Sequence, residues 1–89
     1  MLTTAIDHQD LARRGEEYYN RVLRAKLEPA HTGEFLYLDV ETGEYELDAD
    51  EVAAMERATA RHPDSVFYIL RVGHRASVYI GAAPGRMPA

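Results

Sequence analysis

Two stretches of the chain have apolar side chains at both odd and even positions: "EFLYLDV" (34–40) and "SVFYILRV" (65–72). A strand of this kind needs cover on both faces, which is typical of a central strand in a sheet. Two other stretches, "EYEL" (44–47) and "RASVYIG" (75–81), alternate between apolar and polar residues, as sheet-edge strands can. The pattern therefore predicts a four-stranded sheet whose first and third strands are central, with hairpin turns at Thr42-Gly43 and Gly73-His74.

A first helix is predicted to begin after Asp7 and to run through about Leu27, with Pro29 and Gly33 marking its exit. Gly15 interrupts the apolar face of this helix, where glycine costs about 1 kcal/mol relative to alanine. A close contact with another element would explain a glycine at this position.

A second helix is predicted between the two strand pairs, with Asp48 as its cap, Glu51 completing the capping box and an end near His62. Its apolar face is narrow. The residues that we expect to be buried are Val52, Met55 and Thr59.

The predicted element order is α-β-β-α-β-β, an α+β fold with a four-stranded antiparallel sheet in the order 2-1-3-4, packed with two helices. A chain of 89 residues has room for one small domain, which we assign to residues 1–81. Residues 82–89 read as a flexible C-terminal tail.

The pattern leaves open whether the two helices share one face of the sheet or lie on opposite faces. In the first case a bare apolar face would remain, and a monomer rarely exposes such a surface. We therefore expect a homodimer or small homo-oligomer. The candidate interaction residues, in the strands, the first helix and the second hairpin, are Phe35, Tyr37, Phe67, Ile69, Tyr79, Tyr18, Tyr19, Arg71, His74 and Arg75.

Composition excludes several classes of protein. The chain has no cysteine, so disulfides and thiol chemistry are excluded. It has no apolar run of about 18 residues and no secretory signal pattern, so we expect a cytoplasmic protein without a membrane segment. The net charge of −5 disfavours a nucleic-acid partner, because phosphate binding needs a basic surface.

The stretch "DVETGEYELDADE" (39–51) contains seven acidic residues and no basic one. As a calcium loop starting at Asp39 it fails, because the sixth position is Glu44 instead of glycine and the twelfth is Asp50 instead of glutamate. Two interpretations stay open: a charged edge that prevents strands from pairing between molecules, and an acidic docking surface.

No catalytic, metal or cofactor site is predicted. The chain lacks a nucleophile elbow, a phosphate loop and a dinucleotide motif, and its four histidines do not have the spacing of a zinc site. We therefore expect a non-enzymatic protein without a cofactor.

The basic cluster "RVGHR" (71–75) is the remaining candidate site. It could bind an acidic partner, including the acidic hairpin of a second copy of the chain. Together with the basic face of the first helix, it also supports an alternative function as an antitoxin-like, nucleic-acid-binding regulator.

A spaced set of residues extends along 28–81, and its members are Gly33, Asp39, Thr42, Gly43, Tyr45, Arg61, Pro63, Asp64, Arg71, Val72 and Gly73. With these motifs and "RRGEEYYNRVL" (13–23), the chain resembles a family of small bacterial proteins with the pattern Asp-x-x-Thr-Gly-x-Tyr and Arg-Val-Gly, to which no activity is assigned. Some members are encoded beside small retropepsin-like proteases, so the resemblance implies a protein partner. We expect a protein–protein interaction module or accessory subunit that self-associates or binds such a partner.

Overall fold

The computed structural model describes residues 8–82, and for residues 8, 75–80 and 82 it describes the backbone alone. Asp7 and residues 83–89 of the predicted tail lie outside the described residues, and Ala82 is the last residue of a strand. The elements in chain order are α1 (His8–Tyr18), a π-helical turn (Tyr19–Leu23), α2 (Arg24–His31), β1 (Phe35–Leu38), β2 (Tyr45–Asp48), α3 (Glu51–Arg61), β3 (Val66–Arg71) and β4 (His74–Ala82). The first three form one continuous helix, called here the N-terminal helix.

The sheet is antiparallel, and β1 lies between β2 and β3. Leu36 of β1 is opposite Leu47 of β2 and Leu70 of β3. The predicted α+β class and the antiparallel strand order 2-1-3 are confirmed. The backbone of β4 pairs with the outer side of β3, with a register shift beside Ile69.

Both predicted hairpin turns contain a glycine with a positive φ angle. Gly43 has φ +81° and Gly73 has φ +82°, a region that other residues rarely adopt. The N–H of Gly43 donates to the carbonyl of Asp39 at 2.8 Å and closes the first turn. The turn predictions at these two glycines are confirmed.

The two helices lie on opposite faces of the sheet. The N-terminal helix covers the face of Leu36 and Leu70, and α3 covers the face of Tyr37 and Ile69. The core on the first face consists of Tyr19, Leu23, Leu27, Leu36, Leu38, Tyr68, Leu70 and Val72. The core on the second consists of Tyr37, Ala54, Ala58, Phe67 and Ile69. The question left open by the sequence is thus answered, and neither face of the central strands is bare.

A row of four residues on the N-terminal helix, spaced by four, faces the sheet: Gly15, Tyr19, Leu23 and Leu27. In a regular α-helix a spacing of four rotates each successive side chain by about 40°, or about 120° over this row. The π-helical turn accommodates one extra residue, about 100° of rotation, and so returns the row to the sheet.

Gly15 allows the N-terminal helix to touch the ring of Tyr68. A Cβ atom at residue 15 would lie 2.3 Å from Cγ of Tyr68 and 2.8 Å from its Cβ. No side chain fits in that space, because carbon atoms in contact are about 3.5–4.0 Å apart. The predicted close contact at Gly15 is confirmed.

The N-terminal helix extends past its predicted end at Leu27 and includes Pro29 before it ends at His31. Proline has no N–H to donate to the carbonyl four residues earlier, that of Ala25. Ala25 is exposed, so water can bind this carbonyl, and the buried Leu27 holds the last turns against the sheet. Packing therefore outweighs the local effect of the proline.

Two predictions about α3 are wrong. Its cap is Asp50, which accepts a hydrogen bond from the N–H of Val52 at 3.0 Å, because Asp48 belongs to β2. The fully buried residues are Ala54 and Ala58, whereas in the predicted stripe Met55 and Thr59 are only half-buried, Met55 against the core, and Val52 is 54% exposed. The aromatic and β-branched side chains of the sheet already fill this layer, so small residues let α3 approach.

Candidate functional site

The ten candidate interaction residues do not form one exposed surface. Phe35 and Tyr18 are half-buried, while Arg71 and His74 are exposed. The side chains of Arg75 and Tyr79 lie outside the described part of the chain. The remaining four are core residues, at most 6% exposed: Tyr19, Tyr37, Phe67 and Ile69. Their apolar character reflects a sheet that is covered within one chain.

The acidic stretch is matched by basic residues of α3. Arg57 and Arg61 both bind Glu46, with nitrogen–oxygen distances of 2.9 and 2.7 Å. Arg61 and His62 both bind Glu44 at 2.7 Å. Only two residues separate β2 from α3, so the helix returns along β2 and brings these cations over its acidic side chains. The sequence shows this signal as two arginines four residues apart, after a strand with acids at every second position.

All seven acidic residues of 39–51 have a partner in the chain. Beyond Glu44 and Glu46, Asp48 binds Arg57 at 2.9 Å and Glu41 lies 3.6 Å from Arg14. Asp50 caps α3, and Glu51 accepts a hydrogen bond from the hydroxyl of Tyr37 at 3.4 Å. An acidic docking surface would need free carboxylates, so this arrangement favours the interpretation of a protected edge.

Arg57 also closes the outer edge of β2. Its Nη2 donates to the backbone carbonyl of Leu47 at 2.7 Å, while Nε and Nη1 donate to Glu46 and Asp48 at 2.9 Å each. An open strand edge presents unpaired carbonyl and N–H groups that can pair with another molecule. Arg57 occupies one such carbonyl and stabilises the charges beside it.

The ionic contacts change the proton affinity of two carboxylates. The hydrogen bond from Arg57 lowers the pKa of Glu46, and Arg61 lowers it further. The backbone N–H of Asp50, followed by Arg57, lowers the pKa of Asp48. Both groups are therefore held as carboxylates, and the cluster loses its contacts only under acidic conditions.

Asp39 is the buried acidic residue of the described chain, at 2% exposure. One of its carboxylate oxygens accepts from the N–H of Glu41 at 2.9 Å, and the other accepts from the hydroxyl of Ser65 at 2.9 Å. Nδ1 of His62 lies 3.6 Å from the second oxygen. In a catalytic triad the histidine lies between serine and carboxylate, whereas here the carboxylate lies between the other two. Asp39 thus ties the end of β1 to the loop before β3.

A cavity of about 330 Å³ opens beside Asp39, between the start of α1 and the loops at this end of the sheet. Arg14 spans it and lies 3.7 Å from Asp10 and 3.6 Å from Glu41. Both oxygens of Asp39 already accept hydrogen bonds from the chain. The polar wall of the cavity is therefore largely satisfied by its own groups.

The basic residues of the N-terminal helix are mostly paired with acids of the same helix. Arg13 binds Asp10 and Glu17, and Arg24 lies 3.2 Å from Glu28. At the second hairpin, Arg71 lies over the ring of Phe35 at 5.6 Å and donates to the carbonyl of Gly33 at 3.2 Å. The ion pairs reduce the positive charge that the helix presents, which disfavours the nucleic-acid alternative there.

Five half-buried apolar residues lie together at the β2 end of the face that the N-terminal helix covers. We call them the apolar patch: Tyr18, Val22, Val40, Tyr45 and Leu47. Neighbouring strands are about 4.8 Å apart and a helix is about 10 Å wide, so one helix cannot cover four strands. α1 packs on β3 and β4. The β2 end of this face is therefore only partly covered.

Within residues 8–82, no group of three or more histidine or acidic side chains could hold a metal ion. None of the helices in that range is long and apolar enough to cross a bilayer. Comparisons of the chain with protein-family models, curated proteins and solved structures found no match. The resemblance to the small bacterial family stays a prediction.

Proposed function

We propose that this chain is a small non-enzymatic interaction module or accessory subunit of the cytoplasm that self-associates or binds a protein partner. The observation that supports this proposal is the apolar patch, where Tyr45 and Leu47 of an edge strand lie beside Tyr18 and Val22 of the N-terminal helix. Half-buried aromatic and aliphatic residues with charged neighbours are typical of protein-binding surfaces.

The patch replaces the central sheet residues as the candidate surface. Tyr37 and Ile69 contact α3 in the core of one chain and are not available to a partner. The patch, in contrast, is accessible because α1 is displaced toward β3 and β4. A second helix laid beside the N-terminal helix would complete the layer over β2.

One cluster, Ser65, His62 and Asp39, has the residue types of a catalytic triad, and its contacts favour a structural role over an enzymatic one. Ser65 donates a hydrogen bond to the carboxylate of Asp39, so its partner is not the histidine that activates the serine in a catalytic triad. His62 has carboxylates on both ring nitrogens, at 2.7 Å from Glu44 and 3.6 Å from Asp39. These contacts support a structural role for the only serine–histidine–aspartate group in the described residues.

The proposal is tested by placing a photo-crosslinking amino acid at position 22 or, as a matched control, at position 52. Both positions are valine on a helix, but Val22 belongs to the apolar patch and Val52 is exposed on the other face. In cells of the source organism, we expect protein adducts from position 22 and few from position 52. Equal adduct formation, or none from position 22, would contradict the proposal.

A further inference from the structure

We propose that Arg57 makes an autoinhibitory contact, which prevents the β2 strand of one chain from pairing with the β2 strand of a second copy. The inference concerns the edge of the sheet and does not depend on what binds the apolar patch. It rests on the direction of the backbone groups of β2, on the hydrogen bond that Arg57 donates to one of them, and on the neutralisation of the acids beside it.

The ladder between β1 and β2 indicates which backbone groups of β2 face outward. The N–H of Asp39 donates to the carbonyl of Glu44 at 2.9 Å, so this pair is hydrogen-bonded. Bonded and non-bonded pairs alternate along an antiparallel ladder, and the pairs that Tyr45 and Leu47 form with β1 are therefore non-bonded. Their N–H and carbonyl groups point away from β1. Because β2 stands at the end of the sheet order, no strand of the described chain lies beside these groups.

The outward groups of β2 are complementary to those of a second copy. If two β2 strands run antiparallel about a two-fold axis at Glu46, Tyr45 of each copy lies opposite Leu47 of the other. Each of these two pairs can exchange two backbone hydrogen bonds, one of which ends on the carbonyl of Leu47. Half of the hydrogen bonds of such a contact therefore need this carbonyl, on a strand edge of the kind that pairs between molecules.

Arg57 already occupies the carbonyl of Leu47. Its Nη2 donates to the carbonyl oxygen at 2.7 Å, while Nε and Nη1 donate to Glu46 and Asp48 at 2.9 Å each. The guanidinium group is a planar fork of donors, so its contacts with the two carboxylates hold the third donor on the carbonyl. A second β2 strand would have to break this contact before it could pair.

The acidic side chains of this edge are a weaker barrier than their number indicates. Glu46 is bound by both Arg57 and Arg61, and Arg61 also binds Glu44. The carboxylates of Glu44, Glu46 and Asp48 thus share two guanidinium groups, which leaves little net charge to repel a second copy. Salt screens the remaining repulsion. The contact with the backbone carbonyl therefore provides protection that charge alone does not.

The test compares Arg57→Gln with Arg61→Gln by sedimentation of the purified full-length chain, at about 0.1 M and about 1 M NaCl. Each variant removes one guanidinium group from the acids, but of the two arginines Arg57 is the one that binds the carbonyl of Leu47. We expect Arg57→Gln to self-associate at concentrations about tenfold or more below those of the wild type, because it frees one carbonyl in each copy. The effect should be larger at high salt. Arg61→Gln should keep the mass of the wild type. Unchanged association of Arg57→Gln, or equal association of the two variants, would overturn the inference.

Amide hydrogen exchange locates the contact. In associated Arg57→Gln, the N–H groups of Tyr45 and Leu47 should gain protection, because they point outward and would pair with the second copy. Association without protection at these two positions would overturn the inference.

A second pair of variants, Arg57→Lys and Arg61→Lys, decides the question if Arg57→Gln does not fold. Both keep the charge of α3, but lysine has one ammonium group in place of the fork and cannot hold all three contacts of Arg57. Arg57→Lys should therefore associate more strongly than Arg61→Lys, and equal association of these two would count against the proposal.

Discussion

The two faces of the sheet are covered by helices that make contact in different ways. On one face, Tyr19 and Leu23 of the N-terminal helix pack into an apolar core, and Gly15 brings the backbone onto Tyr68. On the other, α3 contributes two alanines and the half-buried Met55, and its arginines bind Glu46 of β2 and the neighbouring Glu44. The first contact is mainly apolar, whereas the second combines a thin apolar layer with an ionic one.

This difference shows why the two halves of a small domain should respond differently to solution conditions. Apolar contact is little affected by salt or pH, because it depends on area removed from water. Ionic contacts weaken with salt and with protonation of the carboxylates. We expect the α3 face to loosen first in acid, while the N-terminal helix stays packed.

The largest expected effect concerns Gly15→Ala. The added methyl group would lie 2.3 Å from the ring of Tyr68, so either the helix or the ring must move. We expect a loss of about 3 kcal/mol in the free energy of unfolding, at the upper end for an overpacked core. Chemical denaturation measures it.

The control for this prediction is the double variant Gly15→Ala with Tyr68→Ala. Removing the ring opens space for the methyl group, so the two changes should cost less together than the sum of the single changes. Full additivity would show that the ring is not the obstacle.

An intermediate effect is expected for Ala54→Leu, which enlarges a side chain that is 0% exposed between α3 and the sheet. We expect a loss of about 2 kcal/mol, because the larger side chain pushes α3 away from the sheet. Ala60→Leu, on the exposed side of the same helix, should be nearly neutral. Equal thermal stability of the two variants would contradict the close approach of α3.

The smallest effect is expected for Glu46→Gln, which weakens the contacts with Arg57 and Arg61. We expect a loss of about 1 kcal/mol near neutral pH, since hydrogen bonds to charged groups contribute on this scale. The pKa of Glu46 is lowered in the folded chain, so its contribution is complete above the unfolded pKa of about 4.3 and is lost as the pH falls through the folded value.

The wild type and Glu46→Gln should therefore converge in acid, as followed by urea unfolding between about pH 7 and pH 3. A matched variant on the other face is Glu17→Gln, which loses only an exposed pair with Arg13 at 3.4 Å. Its effect should stay below about 0.5 kcal/mol. A difference for Glu46→Gln that persists unchanged at pH 3 would disprove the ionic account.

Sequence patterns predicted the features that depend on neighbouring residues. The doubly apolar strands identified β1 and β3 as neighbours, and Gly43 and Gly73 identified the turns. Gly15 was an anomaly in its helix and pointed correctly to a close contact. Each of these features leaves a local trace in residue type or spacing.

The features that sequence reasoning missed depend on how elements are placed in space. The spacing of Arg57 and Arg61 is a weak signal by itself, because only the placement of α3 along β2 brings these arginines to the acidic side chains. The cap moved from Asp48 to Asp50 because β2 extends to Asp48. The bare-face argument for self-association failed for the same reason, because apolar periodicity does not say which face a helix takes.

The π-helical turn implies that the N-terminal helix contains one residue more than its contacts need. If the exposed Asn20 were deleted, the buried row would have spacings of four, three and four in a regular α-helix. Those spacings amount to about 20° of drift instead of about 120°, so Leu23 and Leu27 would still face the sheet. The turn therefore behaves like an absorbed single-residue insertion, and homologous chains one residue shorter in this helix could keep the same core.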